Sequence, residues 1–250
     1  MLHTPHALAA VVASLVSASA LADSFTTLTM PTLNTNMRTW TDGSVYDNLW
    51  PTSGSPNPNL LTTAGGIPFA FAQDADTGNT AFVGTFGTTS TLTMTVDRTG
   101  ITDVYTLINA AYSQTTSGNT VGSVVLNFAG GVSVTENLVS GYNLRDHYYG
   151  SFINSTTAPY VTQAAFETNA PGTAHLDMLT WSVPSSDQGR ELLNVEFITT
   201  PSAGVDPVLV AATVGTVTSG SSVPEPASGV LLLSGLGALM ARLRRRQLVG

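Results

Sequence analysis

The segment Thr91-Leu92-Thr93-Met94-Thr95-Val96 alternates strictly, with Leu92, Met94 and Val96 on one side and three threonines on the other. Only an extended chain puts every second residue on a common face, so the segment reads as a strand with one buried and one wet surface. The pattern recurs: Val124, Leu126 and Phe128 alternate with Val125 and Asn127, and Leu193, Val195 and Phe197 with Asn194, Glu196 and Ile198. Further strands are expected at 67–72, 104–110, 132–139, 174–183 and 208–214. Turn-forming clusters separate them: Ser117-Gly118-Asn119, Gly130-Gly131, Pro171-Gly172 and Ser185-Ser186. Within 174–183 the apolar phase passes from Leu176 and Met178 to Leu179, Trp181 and Val183, which predicts a bulge. Helical periodicity is nearly absent. The expected fold class is therefore all-β, an antiparallel two-sheet sandwich of jelly-roll type with roughly eight strands.

Composition fits an inert module. The 250 residues include 37 Thr, no Lys and no Cys, and only 10% are charged. Threonine suits a wet strand face because its β-branch fits the pleat while its hydroxyl stays in water. Without cysteine there is no disulfide scaffold and no thiolate zinc site. A net charge of −8 excludes nucleic acid as a partner, since phosphate is repelled. Between Asp23 and Ser222 fifteen acids face only Arg38, Arg98, Arg145 and Arg190, a net charge of −11. Such a body is repelled by acidic glycans unless a divalent cation intervenes.

The two ends read as addresses. Residues 7–16 are apolar but too short to span a hydrocarbon core of ~30 Å, and Ala20-Leu21-Ala22 follows as an A-x-A cleavage pattern before Asp23. Residues 1–22 are thus expected to be a cleavable signal peptide, although His3 and His6 stand where Lys or Arg is usual. At the other end Val223-Pro224-Glu225-Pro226 precedes an apolar run at 227–241, followed by Arg242, Arg244, Arg245 and Arg246. An apolar run closed by arginines is a stop-transfer device, with the cations left cytoplasmic. Fifteen helical residues rise only ~22 Å, so a short transmembrane helix is expected, with its arginines snorkelling. The prolines stop helix from propagating upstream and leave an extended segment open to a protease.

This tripartite tail resembles the PEP-CTERM sorting signal, which combines a Pro-Glu-Pro motif, a short Gly- and Leu-rich helix and an arginine cluster. The resemblance implies a Gram-negative bacterium that makes exopolysaccharide. It also implies an exosortase, an integral-membrane processing enzyme, as the partner recognising Pro224, Glu225 and Pro226 and cutting near them. The domain organisation then expected is a signal at 1–22, a Thr/Asn/Pro-rich arm at 23–58 with a strand near Met37 to Trp40, a β-sandwich at 59–214, a Gly/Ser/Thr linker at 215–222 and the sorting signal at 223–250. Within the body, Val104-Tyr105-Thr106-Leu107-Ile108-Asn109 and residues 138–147 are similar to strands of galactose-binding-like jelly rolls found in exported carbohydrate-binding modules. That resemblance reaches the fold level and transfers no site.

Four places in the body hold residues with chemical potential. Asp74-Ala75-Asp76-Thr77-Gly78-Asn79 sets alternating carboxylates beside a glycine turn, which is either a polar hairpin loop or a calcium site built on Asp74, Asp76 and Asn79. An EF-hand is excluded because Thr85 stands where its glutamate belongs. Asp76-Thr77-Gly78 also spells an aspartic-protease triplet, but no second triplet exists to share a proton with it. Arg145-Asp146-His147-Tyr148-Tyr149 reads either as a sugar subsite or as a corner ion pair covered by tyrosines. In His175-Leu176-Asp177 the two polar side chains share a strand face as a candidate metal pair, but His147 is the only other histidine of the body and a three-histidine zinc site is excluded. Trp40, Tyr46 and Trp50 are either polymer-gripping loop aromatics or plugs of the sandwich edge. No Gly-x-Ser-x-Gly elbow occurs.

The function expected from these residues is that of an exported, non-enzymatic surface or extracellular-matrix protein. Its β-sandwich would contribute adhesion or carbohydrate contact, either without a cofactor or with Ca2+. The alternatives are an exopolysaccharide-modifying hydrolase or lyase, which needs two carboxylates meeting across a cleft, and a purely structural matrix component.

Overall fold

The computed structural model describes residues 23–39, 59–85, 87–111, 117–148, 152–169, 172–200 and 205–217. The expected signal with Ala20 and Ala22, the aromatics Trp40, Tyr46, Trp50 and Tyr149, and the sorting segment from Val223 onward lie outside them. Among the described residues no helix is long and apolar enough to cross a membrane. The described residues fall within one compact unit, Asp23–Val217.

Twelve strands are found among the described residues: β1 Asp23–Thr27, β2 Asn59–Thr62, β3 Pro68–Phe71, β4 Phe82–Val83, β5 Ser90–Arg98, β6 Ile101–Ala111, β7 Thr120–Phe128, β8 Val132–Val139, β9 Val161–Asn169, β10 Gly172–Ser182, β11 Leu192–Thr199 and β12 Asp206–Val217. One sheet has the order β1-β12-β6-β10-β9, with β4 also pairing β12; a second has the order β5-β11-β7-β8; β2 and β3 form a separate hairpin. All these pairings are antiparallel. Four pairs are nested in sequence: β1 with β12, β5 with β11, β6 with β10 and β7 with β8. Successive pairs lie in alternate sheets, the winding expected of a jelly roll, with β9 added at the far edge.

The alternating segments form the smaller sheet, as expected of strands with one wet face. Leu92, Met94 and Val96 of β5, Val124, Leu126 and Phe128 of β7, and Val195 and Phe197 of β11 pack into one apolar core with Val104, Ile108, Leu179, Trp181, Leu209 and Val214 of the larger sheet. The larger sheet is buried on its other face too. There Leu107, Leu176, Met178, Val208 and Val210 meet Phe69 and Phe71 of the β2–β3 hairpin and Met37. Burial on both faces explains why residues 207–215 of β12 are buried without interruption.

It also corrects the reading of β10. Ala174, Leu176 and Met178 enter the outer core while Leu179, Trp181 and Val183 enter the inner one. The apparent phase change is therefore ordinary alternation on a strand with two dry faces. A register irregularity does occur, between Leu176 and Asp177 in the pairing with β9.

Other boundaries differ from expectation for physical reasons. The stretch expected as an arm begins with β1, whose Asp23 pairs with Val217 and Thr27 with Thr213. The stretch expected as a linker begins inside β12, because Gly215, Thr216 and Val217 are held by β1. A Cβ on Gly215 would stand 3.1 Å from the Tyr105 ring, so that glycine lets the Phe25–Tyr105 edge-to-face pair (6.0 Å) close over the strand. The strand expected near Met37 is a 3-10 turn, Met37–Thr39. It is anchored where the Met37 N–H donates to Thr80 Oγ1 (3.0 Å).

Candidate functional site

The strongest concentration of buried polar groups lies where β6 and β10 part. Their ladder runs from Ser182↔Asp103 to Met178↔Leu107 and stops there. Beyond it the Asp177 N–H donates to Asn109 Oδ1 (2.9 Å), and Asn109 Nδ2 returns a bond to Asp177 Oδ2 (2.8 Å). A side chain thus takes the place of a backbone partner and opens the ladder into a fork. Residues 145–148 enter that fork. The Ala110 N–H donates to the Arg145 carbonyl (2.8 Å), the His147 N–H to the Ala110 carbonyl (2.8 Å) and the His175 N–H to the His147 carbonyl (2.9 Å).

The chain is delivered to the fork by a tight turn after β8. The Val139 carbonyl accepts the N–H groups of Tyr142, Asn143 and Leu144, each at 3.1 Å. Gly141, at φ 76°, supplies a left-handed conformation that a side chain would strain. Asn143 locks the turn by accepting the Val139 N–H (2.7 Å) and donating to the Asn137 carbonyl (2.8 Å) and the Tyr160 hydroxyl (3.1 Å).

Arg145 then points its guanidinium at Asp177. Nε reaches Oδ2 and Nη2 reaches Oδ1, both at 2.6 Å, a bidentate pair. Nη1 also donates to the Asn154 carbonyl (3.1 Å) and Nη2 to Gln163 Oε1 (3.2 Å). The Asp177 side chain is 2% exposed and that of Arg145 13%. Asp146 is buried, and its Oδ1 accepts the Tyr148 N–H (2.9 Å). Arg145 and Asp146, both candidates for sugar contact, are thus turned inward to hold the fork together. The ion pair that forms joins Arg145 to Asp177 of β10, not to its neighbour Asp146. Tyr148 joins the fork through a bridge to Ala174.

His175 lies with Nε2 at 3.8 Å from Asp177 Oδ2. Loss of solvent holds its imidazole down to about 4; the Asp177 charge opposes that shift and the Arg145 charge adds to it. His147 is also held down to about 4, by burial and by the neighbouring His175. Both rings are therefore neutral at pH 7. Because the unfolded chain takes up these protons near pH 6.5 and the folded one only near 4, stability should be full above about pH 6.5 and fall as pH drops towards 4. Thermal melts between pH 8 and pH 4 would measure this, and His147→Phe should make the dependence shallower. A parent melt independent of pH across that window would show that the rings are not desolvated.

The remaining candidates are placed as follows. Asp74 Oδ1 accepts from the N–H groups of Asp76 (3.0 Å) and Thr77 (2.7 Å) and from the Thr77 hydroxyl (2.8 Å). These bonds, led by the Thr77 N–H, hold its carboxyl below the usual range. Asn79 Nδ2 donates to the Leu33 carbonyl (3.1 Å), and Gly78 takes φ 72°. The loop is thus closed by its own hydrogen bonds. Among the described residues no group of three or more His, Cys, Asp or Glu is placed to hold a metal. The Asp206 carboxyl is raised by burial, with Oδ1 unpartnered among the described residues.

Two aromatics went unmarked in the sequence. Tyr142, 45% exposed, meets Tyr160 edge to face at 6.3 Å, and Tyr160 leans on Trp181 at 5.7 Å. The one available signal was Gly141-Tyr142-Asn143, an aromatic at the tip of a glycine turn.

The comparisons add three findings. Residues 222–247 match the PEP-CTERM protein-sorting motif. No curated protein matches the chain. A solved structure, "CBM29_1, A Family 29 Carbohydrate Binding Module from Piromyces equi", is similar over 83% of this chain and 98% of its own, at 9% identity and a TM-score of 0.33. That likeness is too distant to carry an argument. The sorting motif indicates an exported protein with a C-terminal segment processed at the membrane.

Proposed function

Starting from the sorting motif at residues 222–247, we propose that this chain is an exported, non-enzymatic surface or matrix protein. Its tail is held in the inner membrane, presented to an exosortase-type enzyme through Pro224-Glu225-Pro226, and removed. Its β-sandwich body then remains at the cell surface or in the exopolysaccharide matrix, where it contributes adhesion or glycan contact. The motif is the observation that carries this reading. The non-catalytic part is supported by the engagement of the candidate carboxylates: Asp177 is clamped by Arg145, Asp146 by the Tyr148 N–H and Asp74 by Thr77.

The test of sorting is the triple substitution Pro224→Ala, Glu225→Ala, Pro226→Ala. Full-length, uncleaved chain should accumulate in the inner-membrane fraction, with near-complete loss of the processed form on immunoblots. Normal processing would reduce the tail to a plain anchor. The test of the body is a pull-down with exopolysaccharide from its own host, in calcium and then in chelator. Saturable binding supports the adhesion reading, and its loss in chelator would place Ca2+ between two acidic partners. Binding followed by shortening of the polymer would replace it with a hydrolase or lyase.

A further inference from the structure

Along the open side of the sandwich, where edge strand β1 and the chain after it pass edge strand β5, lies a groove of about 350 Å³. Six polar side chains line it: Thr26, Thr27, Thr29, Thr93, Thr95 and Arg98. The alternation of β5 explains the arrangement. With Leu92, Met94 and Val96 buried, Thr93 and Thr95 must face outward, and the residues after β1 wall them in on one side.

None of these five threonine hydroxyls makes a hydrogen bond among the described residues, and the Arg98 guanidinium makes neither a hydrogen bond nor an ion pair. The contrast with the other arginines is informative. Arg145 is paired to Asp177 and Arg190 to Asp187. In a body of net charge −11, Arg98 is thus a cation available to a ligand, beside five hydroxyls that also lack a partner among the described residues.

We propose that this groove binds a linear, hydroxyl-rich oligosaccharide segment, with Arg98 taking a carboxylate of a uronate residue. The inference rests on the reading that the body contacts glycan, and it deepens that reading. The volume lies within the ~300–1,000 Å³ of ordinary ligand clefts. Threonine hydroxyls donate and accept, as sugar hydroxyls do, so each can serve either partner of a sugar hydrogen bond. Guanidinium and carboxylate are matched for a two-point contact. Pro31 adds an apolar surface to the same lining, suited to the C–H side of a pyranose. The surrounding negative charge disfavours a densely charged polymer, so the fitting ligand carries carboxylates sparsely along a neutral chain.

The experiment is affinity electrophoresis of the body, Asp23 to Ser222, which contains every residue of both apolar cores. The gels contain chelator and one of three polymers: xanthan, which bears glucuronate, the same xanthan with its carboxyls reduced, or dextran. Retardation should be strongest in xanthan and weaken at least threefold on carboxyl reduction. Arg98→Gln should lose about tenfold in xanthan affinity and abolish the difference between the two forms. Thr95→Val, which keeps the β-branched shape, should weaken binding to both forms with an unchanged melting temperature. If the parent is retarded while Arg98→Gln and Thr95→Val behave identically to it, the glycan reading stands and this groove is not its site. If the parent is retarded by no polymer, the groove proposal falls, and the pull-down with host exopolysaccharide in calcium decides the glycan reading separately.

Discussion

Asp177→Ala should destabilise the body by about 3–5 kcal/mol, because it leaves the guanidinium of Arg145 largely desolvated and without its counter-charge. At about 2–4 °C per kcal/mol for a body of this size, the melting temperature should fall by roughly 6–20 °C. The cost is not the value of one ion pair in water. Asp177 Oδ2 also accepts the Asn109 amide, so losing the carboxylate strands Asn109 Nδ2 as well as Arg145, while the backbone N–H of residue 177 keeps its bond to Asn109 Oδ1. Arg145→Met alone should cost a similar amount by leaving a buried carboxylate unpaired. The pair Arg145→Met with Asp177→Ala should cost clearly less than the two single losses added, since it leaves no charge stranded. Urea titrations of the four proteins close the cycle. Single-variant losses below about 1 kcal/mol would show the pair to be as weak as an exposed one.

Phe69→Ala should cost about 3–5 kcal/mol, as much as Phe197→Ala. The equality is the point of the comparison. Phe197 is fully buried between the two sheets, edge to face with Phe82 at 6.1 Å, in the core any sandwich must have. Phe69 is also fully buried, but under a four-residue strand outside both main sheets. If the hairpin were an accessory flap, truncating Phe69 would loosen it locally and barely move the global midpoint. Packed on Leu107, Leu176 and Val208, it belongs to the outer face of the larger sheet and should melt with it. Denaturant midpoints of the two variants, with an unchanged m-value, would confirm one cooperative unit. A wild-type midpoint for Phe69→Ala would detach the hairpin from the fold.

The strands that were legible in the sequence are those with a wet face. β5 announces itself because threonine marks every second position, and β7 and β11 because Asn127, Asn194 and Glu196 break their apolar runs at alternate positions. β8 was legible to the residue. β1 was not, since Asp-Ser-Phe-Thr-Thr offers a single apolar side chain and is strand only because β12 lies beside it. In β10 the expected irregularity falls between Leu176 and Asp177, while the phase change itself comes from two dry faces, which erase the contrast from which periodicity is read. At the candidate site the locality of the information was decisive. Arg145 and Asp146 drew attention as a cluster with tyrosines, yet the partner that fixes Arg145 is 32 positions away and reached through a break in a ladder. The groove was illegible for the same reason, being assembled from Thr26–Thr29 and Thr93–Arg98, which become neighbours only when the sandwich winds up. Its threonines were visible as wet-face residues, and nothing local separated them from the other wet-face threonines.

The clasp of Asp23 to Val217 and Thr27 to Thr213 has a bearing on how such a chain matures. The opening strand finds its partner only in the closing one, so a chain made from its N-terminus holds Asp23–Thr27 idle until almost the whole body has been synthesised. Long-range pairing of this kind is slow, because the ends must meet before any of their contacts repay the search. The same clasp brings the leading and trailing ends of the body to one corner. Loosening either end of the body would then open the same seam.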